Sequence, residues 1–347
     1  MKSSILGAIV SAALFLVACG GDSPQAESSG GLEPEAETAV VVDSGIARRP
    51  FAPMLNGESI ANGISYGAYR DGEGPGQGLT SKENILEDMN ILIAEGYNLI
   101  RLYGADPQAL QILEVIEENN LPMRVMQGIW LDAHKSAEEN DEQVSLAIDY
   151  ANRFSDTIVA VNVGNEILVD WSYHRLDDID DVVAKIRHVR GSIAQPVTVA
   201  DDYNFWNKPQ SQQVADELDF ICLHGYAFWN NIELDNAMDW TTSTYESIQG
   251  HHPDHKIAFC ETGWPTSRVY DDGSYEGGLI GKAGEAEQAV FFGQYNPWAE
   301  ENDVVSFYFT SFDEKWKGGF DGENPMDKAE KHWGIYFSDR TPKAVLQ

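Results

Sequence analysis

Eight short apolar runs, most followed by a stretch of helical spacing, recur between residues 60 and 311. They are Ile60–Tyr66, Tyr97–Tyr103, Leu121–Ile129, Thr157–Glu166, Pro196–Ala200, Leu218–Tyr226, Lys256–Glu261 and Asp303–Ser311. The first helix, capped by Thr80 or Ser81, runs through Ala94 with Ile85, Leu86, Met89, Leu92 and Ile93 on one face. Asp106-Pro107 opens the next, with proline at its first position. Further helices are expected over Glu142–Phe154 and Asp178–Arg190. Strand and helix in alternation predict a parallel sheet in an α/β fold, and eight such units suit a closed (β/α)8 barrel. An open doubly wound sheet would want a phosphate-binding glycine fingerprint after its first strand. Gly72-Glu73-Gly74-Pro75-Gly76 lies near that place, but it contains a proline and opens no immediate helix.

Two of these strands end in glutamate. Val159, Val161 and Val163 suit a buried strand, Gly164 allows a close turn, and Asn165-Glu166 fall at its carboxyl end. The run Ile257–Cys260 ends the same way in Glu261, followed by Thr-Gly-Trp-Pro. Carboxyl ends of barrel strands are where such folds carry chemistry. A glutamate pair there is the minimum apparatus for glycoside hydrolysis, one acting as acid and base, the other as nucleophile. Either glutamate alone would more simply be a salt-bridge residue at the barrel mouth. Aromatic residues are expected on the same face: Tyr66, Tyr103, Trp130, Tyr203, Trp206, Tyr226, Trp229 and Trp264. Flat rings match the apolar C–H faces of sugars. Two glycine-rich loops, 67–78 and 272–281, are placed there as well.

The chain begins with Met1-Lys2, an apolar stretch from Ile5 to Val17, and Leu16-Val17-Ala18-Cys19. The apolar stretch is too short to span a bilayer and reads as a signal peptide. Residues 1–18 form that signal, and Cys19 is expected to be lipidated and become the mature N-terminus. Gly20 in the following position points to the outer membrane, so membrane contact would be through the lipid only. Residues 19–49 are rich in Gly, Ser, Pro, Glu and Ala and read as a flexible tether. The barrel is assigned to residues 50–347. Among 347 residues, 23 are Lys or Arg and 56 Asp or Glu, for a formal charge of −33. That balance argues against nucleic acid, whose phosphates require clustered cations. Cys222 shares parity with His224 and Tyr226, placed inward. Strict alternation turns Cys260 outward if Glu261 faces in, so the two cysteines are expected as separate buried hydrophobes. No spacing resembles a metal site.

VNVGNE and ETGWP, with ISYG on the first strand and RLYGAD on the second, resemble glycoside hydrolase family 17. Phe312-Asp-Glu-Lys-Trp-Lys317 and Glu330-Lys-His-Trp-Gly-Ile-Tyr-Phe337 resemble that family's later motifs, so the likeness covers about residues 55 to 345. Asp201-Asp202-Tyr-Asn-Phe-Trp206 resembles the bacterial laminarinase branch, whereas ISYG departs from the plant motif. The resemblance implies a (β/α)8 fold and retaining hydrolysis of β-1,3-glucan of the laminarin type, with Glu166 as acid/base and Glu261 as nucleophile. It implies sugar or active-site contacts for Tyr66, Arg101, Tyr103, Asn165, Asp202, Trp206, Tyr226, Trp264, Glu314, Lys317 and Glu330. It implies neither metal nor organic cofactor, and a monomer acting on glucan. Four alternatives stay open: a β-1,3-glucan transglycosylase with Trp264 or Trp229 on the acceptor side, an exo-acting enzyme, hydrolysis of another β-glucan linkage, and a surface glucan-binding lipoprotein without activity.

Overall fold

The structure, a computed structural model, describes residues 46–268, 279–317 and 325–347. The leader, Cys19, the tether up to residue 45 and most of the second glycine-rich loop lie outside the described residues. Eight strands form the barrel: β1 (Asn62–Ser65), β2 (Leu99–Arg101), β3 (Arg124–Ile129), β4 (Ile158–Asn165), β5 (Val197–Asp202), β6 (Ile221–His224), β7 (Ile257–Thr262) and β8 (Ser306–Tyr308). All pairings are parallel and follow chain order, and β8 closes on β1 through Ser306–Asn62 and Tyr308–Ile64. The expected fold is therefore the observed one. Most of the ladders are shorter than the apolar runs that announce them, because residues such as Leu102 stay buried after leaving the sheet.

The helices α1 (Lys82–Ala94), α2 (Pro107–Glu118), α3 (Ala137–Arg153) and α4 (Ile179–Ser192) each start on a side-chain cap. Ser81 accepts from the Asn84 N–H, and Asp106 from the Ala109 N–H. Helix α3 begins five residues before the expected Glu142. Its first turns are charged and carry no apolar period, but Ser136 and Glu139 close a capping box that starts it. After β5, two short helices, α5 (Tyr203–Trp206) and α6 (Ser211–Ala215), replace one long one. Helices α7 (Leu234–His251) and α8 (Glu285–Glu301) follow β6 and β7, and after β8 the described residues include two 3-10 helices, Pro325–His332 and Ala344–Leu346.

Two apolar layers result. One fills the barrel with inward residues such as Leu99, Met126, Ala160, Phe220 and Phe307. Phe51 closes it, its ring stacked on Phe220 at 4.0 Å. The other lies between strands and helices, with Ile85, Met89 and Leu92 of α1 among its members. The segment leading into Phe51 is tied down too. Arg49, assigned to the tether on composition, donates to the carbonyls of Arg190, Ile193 and Gln195 and to Asp219. A two-residue hairpin, Met54–Leu55 with Glu58–Ser59, turns at Asn56-Gly57 with positive φ at both residues.

The cysteine expectation is overturned. Cys222 and Cys260 form a disulfide with Cα atoms 5.3 Å apart. The ladder between β6 and β7 pairs Leu223 with Phe259 but His224 with Glu261, so β7 carries one extra residue there. That irregularity breaks the period of two, and Cys260 and Glu261 both turn into the barrel.

Candidate active site

Strand β4 delivers Glu166 through a strained turn. Gly164 takes φ 89°, and Glu166 itself takes φ 52°, a left-handed conformation unusual for glutamate. Its N–H donates to the Ala200 carbonyl at 2.8 Å, which fixes the turn against β5. Glu261 arrives on β7 through the irregularity just described. Carboxylate oxygens of Glu166 and Glu261, together with a ring nitrogen of His224, lie within 4.8 Å of one another. A retaining glycosidase holds its two carboxyls about 5–5.5 Å apart.

The two glutamates sit in different electrostatic surroundings. Arg101 donates one nitrogen to Glu261 Oε1 and the other to Asn165 Oδ1, each at 2.5 Å. Tyr226 donates its hydroxyl to Glu261 Oε2 at 2.6 Å. Burial on its own would raise the Glu261 pKa, but His224, Arg101 and Tyr226 outweigh it and hold the carboxyl down at about 2. Glu261 is therefore an anion at any working pH. Glu166 faces His224, whose Nδ1 is 3.0 Å from its Oε1. Two further carboxyls crowd that side. Burial first, then the charge of Glu166, pushes Asp201 well above the usual carboxylate range. Burial likewise raises Asp202 to about 6.

The cleft over this pair has a volume of about 1180 Å³. Tyr66, Tyr103, Asn165, Asp202, Tyr226, Glu314, Lys317 and Glu330 all line it with Glu166 and Glu261. Tyr66 presents its ring only, since its hydroxyl donates to Asp88. Lys317 pairs with Glu314 at 2.9 Å and lies 4.2 Å over the Phe309 ring. Although burial opposes it, the charges of Glu314 and Glu330 raise the Lys317 pKa and keep it cationic. A Cβ on Gly67 would push aside the end of the Glu314 side chain.

Three expected site residues stand elsewhere. Arg101 is fully buried beneath the cleft and acts through Glu261 and Asn165, not on a ligand. Trp206 is fully buried behind β6, its Nε1 donating to the Cys222 carbonyl and its edge against His252. Trp264 is fully buried between Phe228 and Phe291 and donates to the Lys282 carbonyl. Both tryptophans follow strand ends, but their rings fold into the outer apolar layer, where their large area is best covered. Tyr203, from the same aromatic set, spends its hydroxyl on Asn230. Sequence reasoning missed His224 as a site residue, although its parity with Tyr226 marked it as inward-facing. It also missed Tyr69, Trp171, Tyr173 and Trp316, which line the cleft from loops where no periodicity signals them.

Glu166, His224 and Glu261 are the one group among the described residues with ligand atoms placed as a metal site would need. Glu261 already accepts from the Arg101 guanidinium, whose fixed charge would repel a cation. The arrangement suits proton transfer and nucleophilic attack instead.

A closed (β/α)8 barrel with two such glutamates at the ends of β4 and β7 has the layout of a glycoside hydrolase. Residues 63–334 match the BtgE/BtgC glycoside hydrolase domain, and the chain belongs to that family. It is 28% identical over 279 residues to a protein named putative glucan endo-1,3-beta-glucosidase btgC from Aspergillus niger, covering 76% of this chain and 40% of that one. A glucan 1,3-beta-glucosidase of Schizosaccharomyces pombe is 28% identical over 76% of this chain and 80% of its own length. The chain spans about two fifths of the length of the btgC proteins it matches, 40% and 42%. Among solved structures, an endo-laminarinase from Formosa Hel1_33_131 superimposes with a TM-score of 0.71 at 24% identity, covering 83% of this chain and 86% of that one. A family 17 β-1,3-glucanosyltransferase from Rhizomucor miehei gives 0.65 at 24% identity, over 82% and 96%. At these identities the superpositions establish the fold.

Proposed function

We propose that the protein is a retaining endo-β-1,3-glucanase of the bacterial laminarinase branch of glycoside hydrolase family 17, acting on laminarin-type glucan. The observation that carries this reading is the carboxylate pair, within 4.8 Å and in contrasting surroundings. Glu261 is anionic and attacks the anomeric carbon as the glycosidic bond breaks. Glu166 gives its proton to the departing oxygen, then takes one from water as water releases the sugar from Glu261. Arg101 and Tyr226 hold the Glu261 oxygens in place, and Asn165, oriented by Arg101, is placed to meet the sugar's 2-hydroxyl. The names of the fungal relatives favour the β-1,3 linkage.

Product release from laminarin tests the reading, with wild type beside Glu261→Ala and Glu166→Gln. Oligosaccharides of several lengths from wild type, and almost none from either variant, are expected. Glucose alone would make the enzyme exo-acting, and binding without cleavage would refute the catalytic reading. The leader motif supports a lipid anchor on Cys19 at the outer membrane, with the barrel tethered at the cell surface or in the periplasm. Loss of palmitate labelling and of membrane fractionation in Cys19→Ala tests that placement.

A further inference from the structure

Trp171 and Tyr173 are the most exposed aromatic side chains among the described residues, at 59% and 72%. Both line the cleft, five and seven residues beyond Glu166 on the loop that leaves β4. The loop that holds them is clamped. The Leu168 N–H donates to Asp201 at 2.8 Å, and the Leu176 N–H returns to the Ile167 carbonyl at 2.8 Å. Asp170 between them is bridged to both Arg175 and Lys208. The ring of Tyr173 lies parallel to His134, and the carbonyl of Tyr173 bonds His134 Nε2 at 2.9 Å. Beneath it, buried His174 packs on Tyr173 and Trp130 and reaches the Asn165 carbonyl at 2.7 Å. Two large rings are thus held in water by a braced loop. Exposed apolar area of this kind contributes nothing to folding and becomes favourable only when covered.

The side of the cleft is set by the chemistry. Glu166 protonates the glycosidic oxygen, so the sugar chain that leaves through that oxygen extends over the Glu166 side of the mouth. The loop carrying Glu166 is the loop carrying Trp171 and Tyr173. We propose that Trp171 and Tyr173 form a leaving-group subsite, a stacking platform for a glucosyl unit of the departing β-1,3-glucan chain. The platform rests on the glucanase reading above. In the step it serves, the C1–O bond breaks, a Glu261 oxygen bonds C1, and the Glu166 proton goes to the departing oxygen. The platform touches none of these atoms. It holds the chain on the leaving-group side of the bond, where the rest of the polymer lies whenever a glucan is cleaved.

The test compares two substrates in the full chain. Laminarihexaose places sugars on both sides of the cleavage point, whereas β-laminaribiosyl fluoride has a single atom as its leaving group and reaches no platform. For Trp171→Ala, kcat/KM on laminarihexaose should fall about tenfold further than kcat/KM on the fluoride, the scale of one lost aromatic contact. Tyr173→Ala should act in the same direction. Trp171→Phe, which keeps a flat ring, should recover most of the difference. Equal losses on the two substrates, or no loss on either, would overturn the platform. Wild type that turns over neither substrate would refute the glucanase reading itself, and the platform with it.

Discussion

Replacing Arg101 by methionine tests the electrostatic heart of the site. The guanidinium is fully buried, with one nitrogen on Glu261 and the other on Asn165, and methionine fills similar volume without charge or donors. In the intact site Glu261 is held at about 2 against an ordinary value of 4.5, in spite of a burial that pushes the other way. At about 1.4 kcal/mol per pH unit, that depression is worth on the order of 3 kcal/mol. Without Arg101, His224 and Tyr226 must hold a buried anion alone, and the carboxyl should return to its ordinary range or above it. The acid limb of kcat/KM, which reports the free enzyme, should then move up by about two pH units. Stability should fall by about 3–5 kcal/mol near neutral pH, the cost of leaving one partner of a buried pair uncompensated. The sign follows from linkage. A depressed carboxyl stabilises the fold above its unfolded pKa and loses that contribution as pH falls through about 2. The penalty in the variant should therefore shrink as pH falls from neutral toward that value. An acid limb that stays in place while kcat drops would refute this account and leave Arg101 a packing residue.

Reduction of the Cys222–Cys260 bond, which closes a separation of 38 residues inside the barrel, should lower unfolding free energy. Chain-entropy scaling puts the loss near 4 kcal/mol, about what denaturant melts with and without strong reductant should show. Asp202 behaves in the opposite sense to Glu261. Its folded pKa of about 6 lies above its usual 3.8, so it stabilises the fold fully below the lower value and loses that contribution as pH rises through the higher one. Asp202→Asn should flatten the stability profile between those pH values by roughly 3 kcal/mol, and an unchanged profile in chemical denaturation would contradict it.

Much of the architecture was legible along the chain because its signals are local. The caps at Ser81, Asp106 and Asp178 stand beside the helices they start, and β-branched runs such as Val159–Val163 announce buried strands without reference to a partner. Eight such units leave few topologies, and Glu166 and Glu261 at strand ends then fall at one mouth. His224 was half legible, placed inward by parity but without a partner to give it a role. The turn at Asn56-Gly57 carried a local signal as well, and its hairpin was overlooked.

Tertiary structure decided the rest. One extra residue in β7 reversed the facing of Cys260, made the disulfide and brought Glu261 against Arg101 and Tyr226. No alternation rule contains it, because it exists only in the register between two strands. Trp206 and Trp264 look like Trp130 and Trp171 in sequence, yet two are buried in the outer layer and two line the cleft. The difference lies in which loops curl over the barrel and which fold against its helices. Local propensity and period determine elements and their order; facing, pairing and exposure depend on contacts between residues far apart in the chain, where packing against neighbours selects among states that local chemistry leaves nearly equal.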